Sequence, residues 1–172
     1  MKNILFIVLL SVSLNLYSQD KLDDYRKLID SSVVIKSIET YSNFKNDLDK
    51  KNNTENWKYY INNYKHYIEN IYLIDGDNRP YSIALSKSNN INFKQIDIYN
   101  TKNKKIIKKG IDAWKIVTTL EGNKLKIVII DFKIIYKKAT YQFANGGGKT
   151  MIYEYLCQDK KWILTSSKTN AL

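Results

Sequence analysis

The sequence predicts an α+β fold, with two N-terminal amphipathic helices packed on a curved antiparallel sheet of about six strands. Three observations lead there. Apolar residues up to Tyr72 recur at helical spacing, period-two alternation begins after Pro80, and short polar turns separate the alternating runs. The chain has 172 residues, 44% hydrophobic and 26% charged, too short for two ordinary domains and too apolar and aromatic for a disordered chain. With no internal repeat and no Pro/Gly-rich linker, one domain is drawn over residues 19–172.

Residues 1–18 are read as a signal peptide. Met1-Lys2-Asn3 is a short cationic start, and Ile4 to Leu16 is an apolar run of signal-peptide length. A membrane span needs about 20 such residues, and this run already carries Ser11, Ser13 and Asn15. Cleavage is expected after Ser18, leaving Gln19 first and no membrane span in the mature chain. The expected location is periplasmic or secreted. The one cysteine is Cys157, so anchoring through an N-terminal lipidated cysteine is not expected, nor is an intramolecular disulfide framework or a cysteine-based metal site. Cys157 ends a strand-like run with no recognisable base nearby, and reads as a small buried hydrophobe.

The first helix is expected from Asp20 to about Phe44, with Leu22, Tyr25, Leu28, Ile29, Val33, Ile38 and Tyr41 as its apolar positions. After a polar break, Trp57, Ile61, Tyr64, Ile68 and Ile71 step by four, three, four and three, predicting a second helix over 54–72. Core packing explains this aromatic stripe more readily than a ligand box, although Trp57 and Tyr64 are kept as pocket candidates. His66, the single histidine, lies off the stripe between Asn62 and Asn70 and reads as a surface residue.

Asp75-Gly76-Asp77-Asn78 resembles the start of a calcium loop. Arg79 stands where a ligand is required, and the later Gly and Glu are missing, so it reads as a turn. Strands are predicted at Tyr81–Leu85, Ile91–Tyr99, Asp112–Leu120, Lys124–Tyr136, Thr150–Cys157 and Lys161–Ser166, with a weak one at Lys105–Lys108. Glu121-Gly122-Asn123 is a hairpin turn, and Gln158-Asp159-Lys160 joins the last two strands. In Lys124–Tyr136 both faces are apolar, which predicts a central strand covered on both sides.

Gly146-Gly147-Gly148-Lys149-Thr150 resembles the end of a phosphate-binding loop, but Phe143 stands where the first glycine belongs and a strand-like run follows instead of a helix. It reads as a flexible turn before a strand. No cofactor and no metal site is assigned. Asp131 and Glu154 are the carboxylates that could enter an apolar cavity and serve as acid or base, or equally sit against a lysine or at a strand edge.

Charge is uneven. Residues 19–86 hold ten basic against eleven acidic side chains, and residues 87–172 hold seventeen against six. The densest basic stretch, Lys102, Lys104, Lys105, Lys108 and Lys109, is the anion-binding candidate. Only Arg26 and Arg79 are arginines, which argues against sequence-specific nucleic-acid reading. A Lys/Asn-rich composition is also what an AT-rich genome supplies without any partner.

The last stretch, Lys149-Thr150-Met151-Ile152-Tyr153-Glu154-Tyr155-Leu156-Cys157-Gln158-Asp159-Lys160-Lys161-Trp162-Ile163-Leu164, resembles the closing hairpin of nuclear transport factor 2-like domains. The helices-then-strands layout is similar to that family's cone-shaped α+β fold. The resemblance implies a pocket between helices and sheet, and carries over no catalytic residue. The signal ending in Ser18-Gln19 and the Lys/Asn-rich chain are similar to exported proteins of Bacteroidetes-type bacteria. Three functions stay open: a non-enzymatic binding or interaction module, with a small apolar ligand among its candidate partners; an enzyme using Asp131 or Glu154; and an accessory protein holding anionic polymers through its Lys-rich half.

Overall fold

The computed structural model describes the backbone of residues 2–50, 54–83 and 91–170, with side chains described from Asp23 onward. The side chains of the expected signal peptide lie outside the described residues. Helix α1 runs Lys2–Asp49 and helix α2 runs Glu55–Glu69. Strands β1 (Ile71–Ile74) and β2 (Lys94–Gln95) precede a short helix α3 (Lys104–Ile107). Then come β3 (Ile111–Glu121), β4 (Lys124–Lys137), β5 (Thr140–Leu156) and β6 (Lys161–Asn170). Three helices accompany one six-stranded sheet among the described residues, an α+β architecture as expected.

The sheet order is β2-β1-β3-β4-β5-β6. The last four strands form the expected antiparallel meander, but β1 runs parallel to both β2 and β3, so the sheet is mixed rather than wholly antiparallel. The strand β1 itself corrects the helical reading of Ile71. Helix α2 stops at Glu69, where Asn70 takes a non-helical backbone and its side chain donates to the His66 carbonyl at 2.8 Å. At the other end Thr54 is the N-cap, its hydroxyl accepting from the Trp57 amide.

Other expected boundaries moved. Ile91–Tyr99 pairs only at Lys94–Gln95; its Ile91, Ile96 and Ile98 are buried as anchors of an irregular segment. Tyr81–Ile83 is not a strand, although the Tyr81 amide donates to Leu73 O at 3.0 Å; Ala84 and Leu85 lie outside the described residues. The weak strand at Lys105–Lys108 is instead α3. The triple glycine is not a turn: it lies inside β5, where Ile130 faces Gly148 and Phe132 faces Asn145, so Gly146 and Gly147 together oppose Asp131 as a bulge. A Cβ at Gly148 would lie 2.3 Å from the Ile129 carbonyl oxygen, so this close approach requires glycine.

Two cores lie on opposite sheet faces. The helix-side core joins Val33 and Phe44 of α1 and Ile68 of α2 to Ile71, Leu73, Trp114, Ile116, Leu125, Ile127, Ile129, Met151 and Tyr153. On the other face Ile74, Ile96, Ile98, Ile107, Ile111, Ala113 and Ile134 pack under α3 and the segment before it. At the Ile134 end of β4 it is this second face that is buried, while Lys133 and Ile135 on the helix side are exposed and partly exposed, so the two faces are covered at different ends rather than together. Towards the β3–β4 turn only the helix side is buried: Ile127 is fully buried, whereas Val128 and Ile130 are partly exposed.

Candidate functional site

Helix α1 does not present a purely apolar stripe to the sheet. Asp30, Ser32, Lys36 and Ser37 are buried, while Ile38, expected on the apolar face, is 51% exposed. Each described polar residue meets a partner. Tyr81 donates to Asp30 at 2.9 Å, and Ser32 lies 3.0 Å from the Tyr153 hydroxyl. The Lys36 ammonium donates to Asp131 Oδ2 at 2.9 Å and sits 4.6 Å from the centre of the Trp114 ring. One helical turn on, Glu39 accepts from buried Lys149 at 2.6 and 2.7 Å.

Asp131 therefore enters the helix-side core as its alternation predicted, but opposite a lysine. Trp114 faces it across β3, and the Gly146 backbone approaches it from β5. Trp114 Nε1 donates to the Tyr67 hydroxyl at 2.8 Å. Burial pushes the Tyr67 phenol well above the ordinary phenol range, and the Asp131 charge adds to the rise. Asp131 Oδ1 is buried without a hydrogen-bond partner among the described residues. A carboxylate held this way by a buried ammonium ties α1 to the sheet and orients its neighbours.

The remaining pocket candidates separate. Tyr64 packs at the margin of the helix-side core and donates to the Thr40 carbonyl at 3.1 Å. Trp57 contacts Tyr60 at 5.2 Å near the α1–α2 connection. Glu154 lies on the face opposite Asp131, paired in register with Lys124 and accepting from Asn123 at 3.1 Å. Because Glu154 and Asp131 lie on opposite faces of the sheet, Trp57, Tyr64, Asp131 and Glu154 do not converge on one site. His66 is exposed, as expected, beside Asn70. Cys157 is exposed in the β5–β6 turn, which overturns the reading of a buried hydrophobe: the strand ends one residue earlier, at Leu156.

The anion-binding candidates do come together, with help that the sequence run did not show. Lys104, Lys105, Lys108 and Lys109 surround the turn of α3, and Lys102 stands in the 3-10 turn just before it. The β4–β5 hairpin turn brings in Lys137 and Lys138, the latter with φ of 50°. Lys108, Lys137 and Lys138 line one open groove of about 590 Å³ with Tyr136 and Gln142. Lys105 and Lys109 line another of about 430 Å³ with His66 and Asn70. Lys104 rests 5.1 Å from the Tyr136 ring. None of these seven lysines is within ion-pair distance of a described carboxylate. Asp112, which also lines the second groove, is held by Lys133 at 3.0 Å.

The sequence missed Lys36 and Lys149 as buried cations. Both carried a readable signal, since Lys36 falls a helical turn from Val33 and Lys149 shares the period-two face of Met151 and Tyr153. No family model matches the chain, and no curated protein or solved structure matches it.

Proposed function

We propose that this chain is an exported, non-catalytic binding module whose basic ridge around α3 and the β4–β5 turn holds an anionic polymer. The observation that carries the reading is the gathering of seven lysines from separate elements, none within ion-pair distance of a described carboxylate and the nearby Asp112 held by Lys133. Such a set concentrates positive potential at one end of the sheet and favours a ligand with repeated negative charge. Lysines without arginine forks suit charge attraction rather than reading of a particular sequence. The export part rests on residues 1–18, and intact-mass measurement of exported protein should find them removed. Reading the fold as a nuclear transport factor 2-like cone is supported by the order of helices and meander and by the core between them.

Binding to dextran sulfate and to uncharged dextran, at graded salt, tests the ridge. The sulfated polymer should bind with an affinity that falls steeply with salt, and replacing Lys105, Lys108, Lys137 and Lys138 by alanine should flatten that dependence. Equal retention of both polymers, or a salt dependence unchanged by the four substitutions, would reject the reading. The enzyme alternative is favoured by one observation, the unpartnered Oδ1 of Asp131. An activity abolished by Asp131→Asn with melting temperature unchanged would favour it instead.

A further inference from the structure

We propose a second ligand site at the opposite end of the sheet, a groove that takes one neutral pyranose ring of a saccharide. Tyr25 of α1, Gly122 and Asn123 of the β3–β4 turn, Tyr155 of β5 and Trp162 of β6 line it together with Asp24, around a volume of about 230 Å³. That is below the roughly 300–1,000 Å³ of clefts for drug-sized ligands and suits a single ring.

The walls are aromatic. The Trp162 ring lies 5.7 Å from Tyr25, edge to face, and 5.3 Å from Tyr155. All three rings are half-buried, so they are fixed by the fold yet retain accessible surface. Aromatic faces carry negative potential, and the polarised C–H groups on one side of a pyranose ring pack against them.

The rim supplies acceptors. Asp24 is exposed, and among the described residues Lys27 is its partner, 3.3 Å from Oδ1. Asn123 spends its amide N–H groups on Glu154 and on the Tyr155 carbonyl, at 3.1 and 3.3 Å, so its Oδ1 remains an acceptor on a side chain held in place. Two acceptors beside aromatic rings match a ligand whose hydroxyls donate and whose ring face is apolar. An anion would be repelled by Asp24, and a purely apolar ligand would strip water from a carboxylate without replacing its hydrogen bonds. Strand β4 separates this groove from the basic ridge by its whole length, on the order of 40 Å for its span at about 3.3 Å per residue, so the two sites are independent.

The test is titration of the purified protein with cellotriose, maltotriose and chitotriose, followed by tryptophan fluorescence and calorimetry. At least one neutral trisaccharide should perturb the emission with an affinity insensitive to salt. Asp24→Ala, at an exposed position, should keep the fold by circular dichroism and weaken binding by about tenfold or more, as expected for a lost charge-assisted hydrogen bond. Trp162→Ala should abolish it. The proposal is overturned if no neutral trisaccharide binds at millimolar concentration, if Asp24→Ala binds as well as the parent, or if choline occupies the groove in preference to the sugars. Loss of dextran sulfate binding in the lysine variants leaves these outcomes unchanged, so the two sites stand or fall separately.

Discussion

The Lys36 ammonium and the Asp131 carboxylate meet at 2.9 Å across 95 residues of sequence, tying the middle of α1 to the centre of the sheet. Their side chains are 9% and 23% exposed, so the pair is largely removed from water. Such pairs are costly to break from one side, because the remaining charge stays buried without its partner. Lys36→Met should therefore destabilise the protein by about 3 kcal/mol in urea denaturation. The double variant Lys36→Met, Asp131→Leu should recover most of that loss. A single variant as stable as the parent would mean that Asp131 finds water in place of the ammonium.

The bulge in β5 is the counterpart of that pair on the next strand. Alanine at Gly148 would drive its Cβ against the Ile129 carbonyl, and separating β4 from β5 there should cost about 3 kcal/mol. Gly122 is the control. Its φ is 60° and nothing lies within 4 Å of an added Cβ, so Gly122→Ala should lose only the left-handed backbone penalty of about 1–2 kcal/mol. Thermal melts of the two variants distinguish a steric requirement from a conformational one.

Why the bulge escaped a reading of the sequence is instructive. Asn145 and three glycines carry no period-two signal and look like a turn, and only pairing with Phe132 and Ile130 makes them strand. The β3–β4 hairpin was legible because Gly122-Asn123 punctuates two alternating runs. Helix α2 was legible from its stripe, yet Ile71 continued that stripe by coincidence, and Asn70 is a weaker stop signal than glycine or proline. Parallel pairing of β1 is a tertiary choice that local pattern does not encode. In the site, the buried Lys36 and Lys149 went unread although both fall on apolar faces, and their acidic partners lie 95 and 110 residues away, beyond any local pattern.

Cys157 gives a direct check on the end of β5. Exposed at a turn, its thiol should react with an alkylating reagent in the native protein as completely as after unfolding. Protection in the native state would restore the buried reading.

Alkaline stability follows from the phenols. Burial first, and then the nearby carboxylates, raises Tyr67 and Tyr81 above the ordinary phenol range, with Asp131 and Asp30 as the respective acids. Burial and then Asp47 push Tyr60 up to about 12. A folded value above the unfolded one, about 10, means that the neutral phenol's contribution is complete below pH 10. It is lost as pH rises through the folded values. Urea denaturation should therefore show stability falling from about pH 10 upward. Tyr67→Phe should make that fall shallower, after an initial cost of about 1 kcal/mol for the hydrogen bond from Trp114. Phenolate absorbance that rises fully before unfolding begins would contradict this.

Ile127 and Ile130 measure how unequally β4 is covered. They lie on opposite faces of one strand, Ile127 fully buried in the helix-side core between Thr118 and Met151, Ile130 partly exposed between Lys115 and Gly148. If both faces were equally covered, truncating either residue would leave a similar cavity. The packing instead places α1 and α2 over Ile127, whereas α3 and its neighbours reach the Ile134 end and leave Ile130 at the margin. Ile127→Ala should then cost about 2–5 kcal/mol, the range for a fully buried aliphatic side chain. Ile130→Ala removes fewer contacts and lets water into the space it leaves, so its cost should be roughly half as large. Asp131→Asn, next after Ile130 in sequence and on the Ile127 face, should weaken the Lys36 contact and lower stability while leaving dextran sulfate binding intact. Equal losses at Ile127 and Ile130 would mean that the second face of β4 is covered in solution as completely as the first.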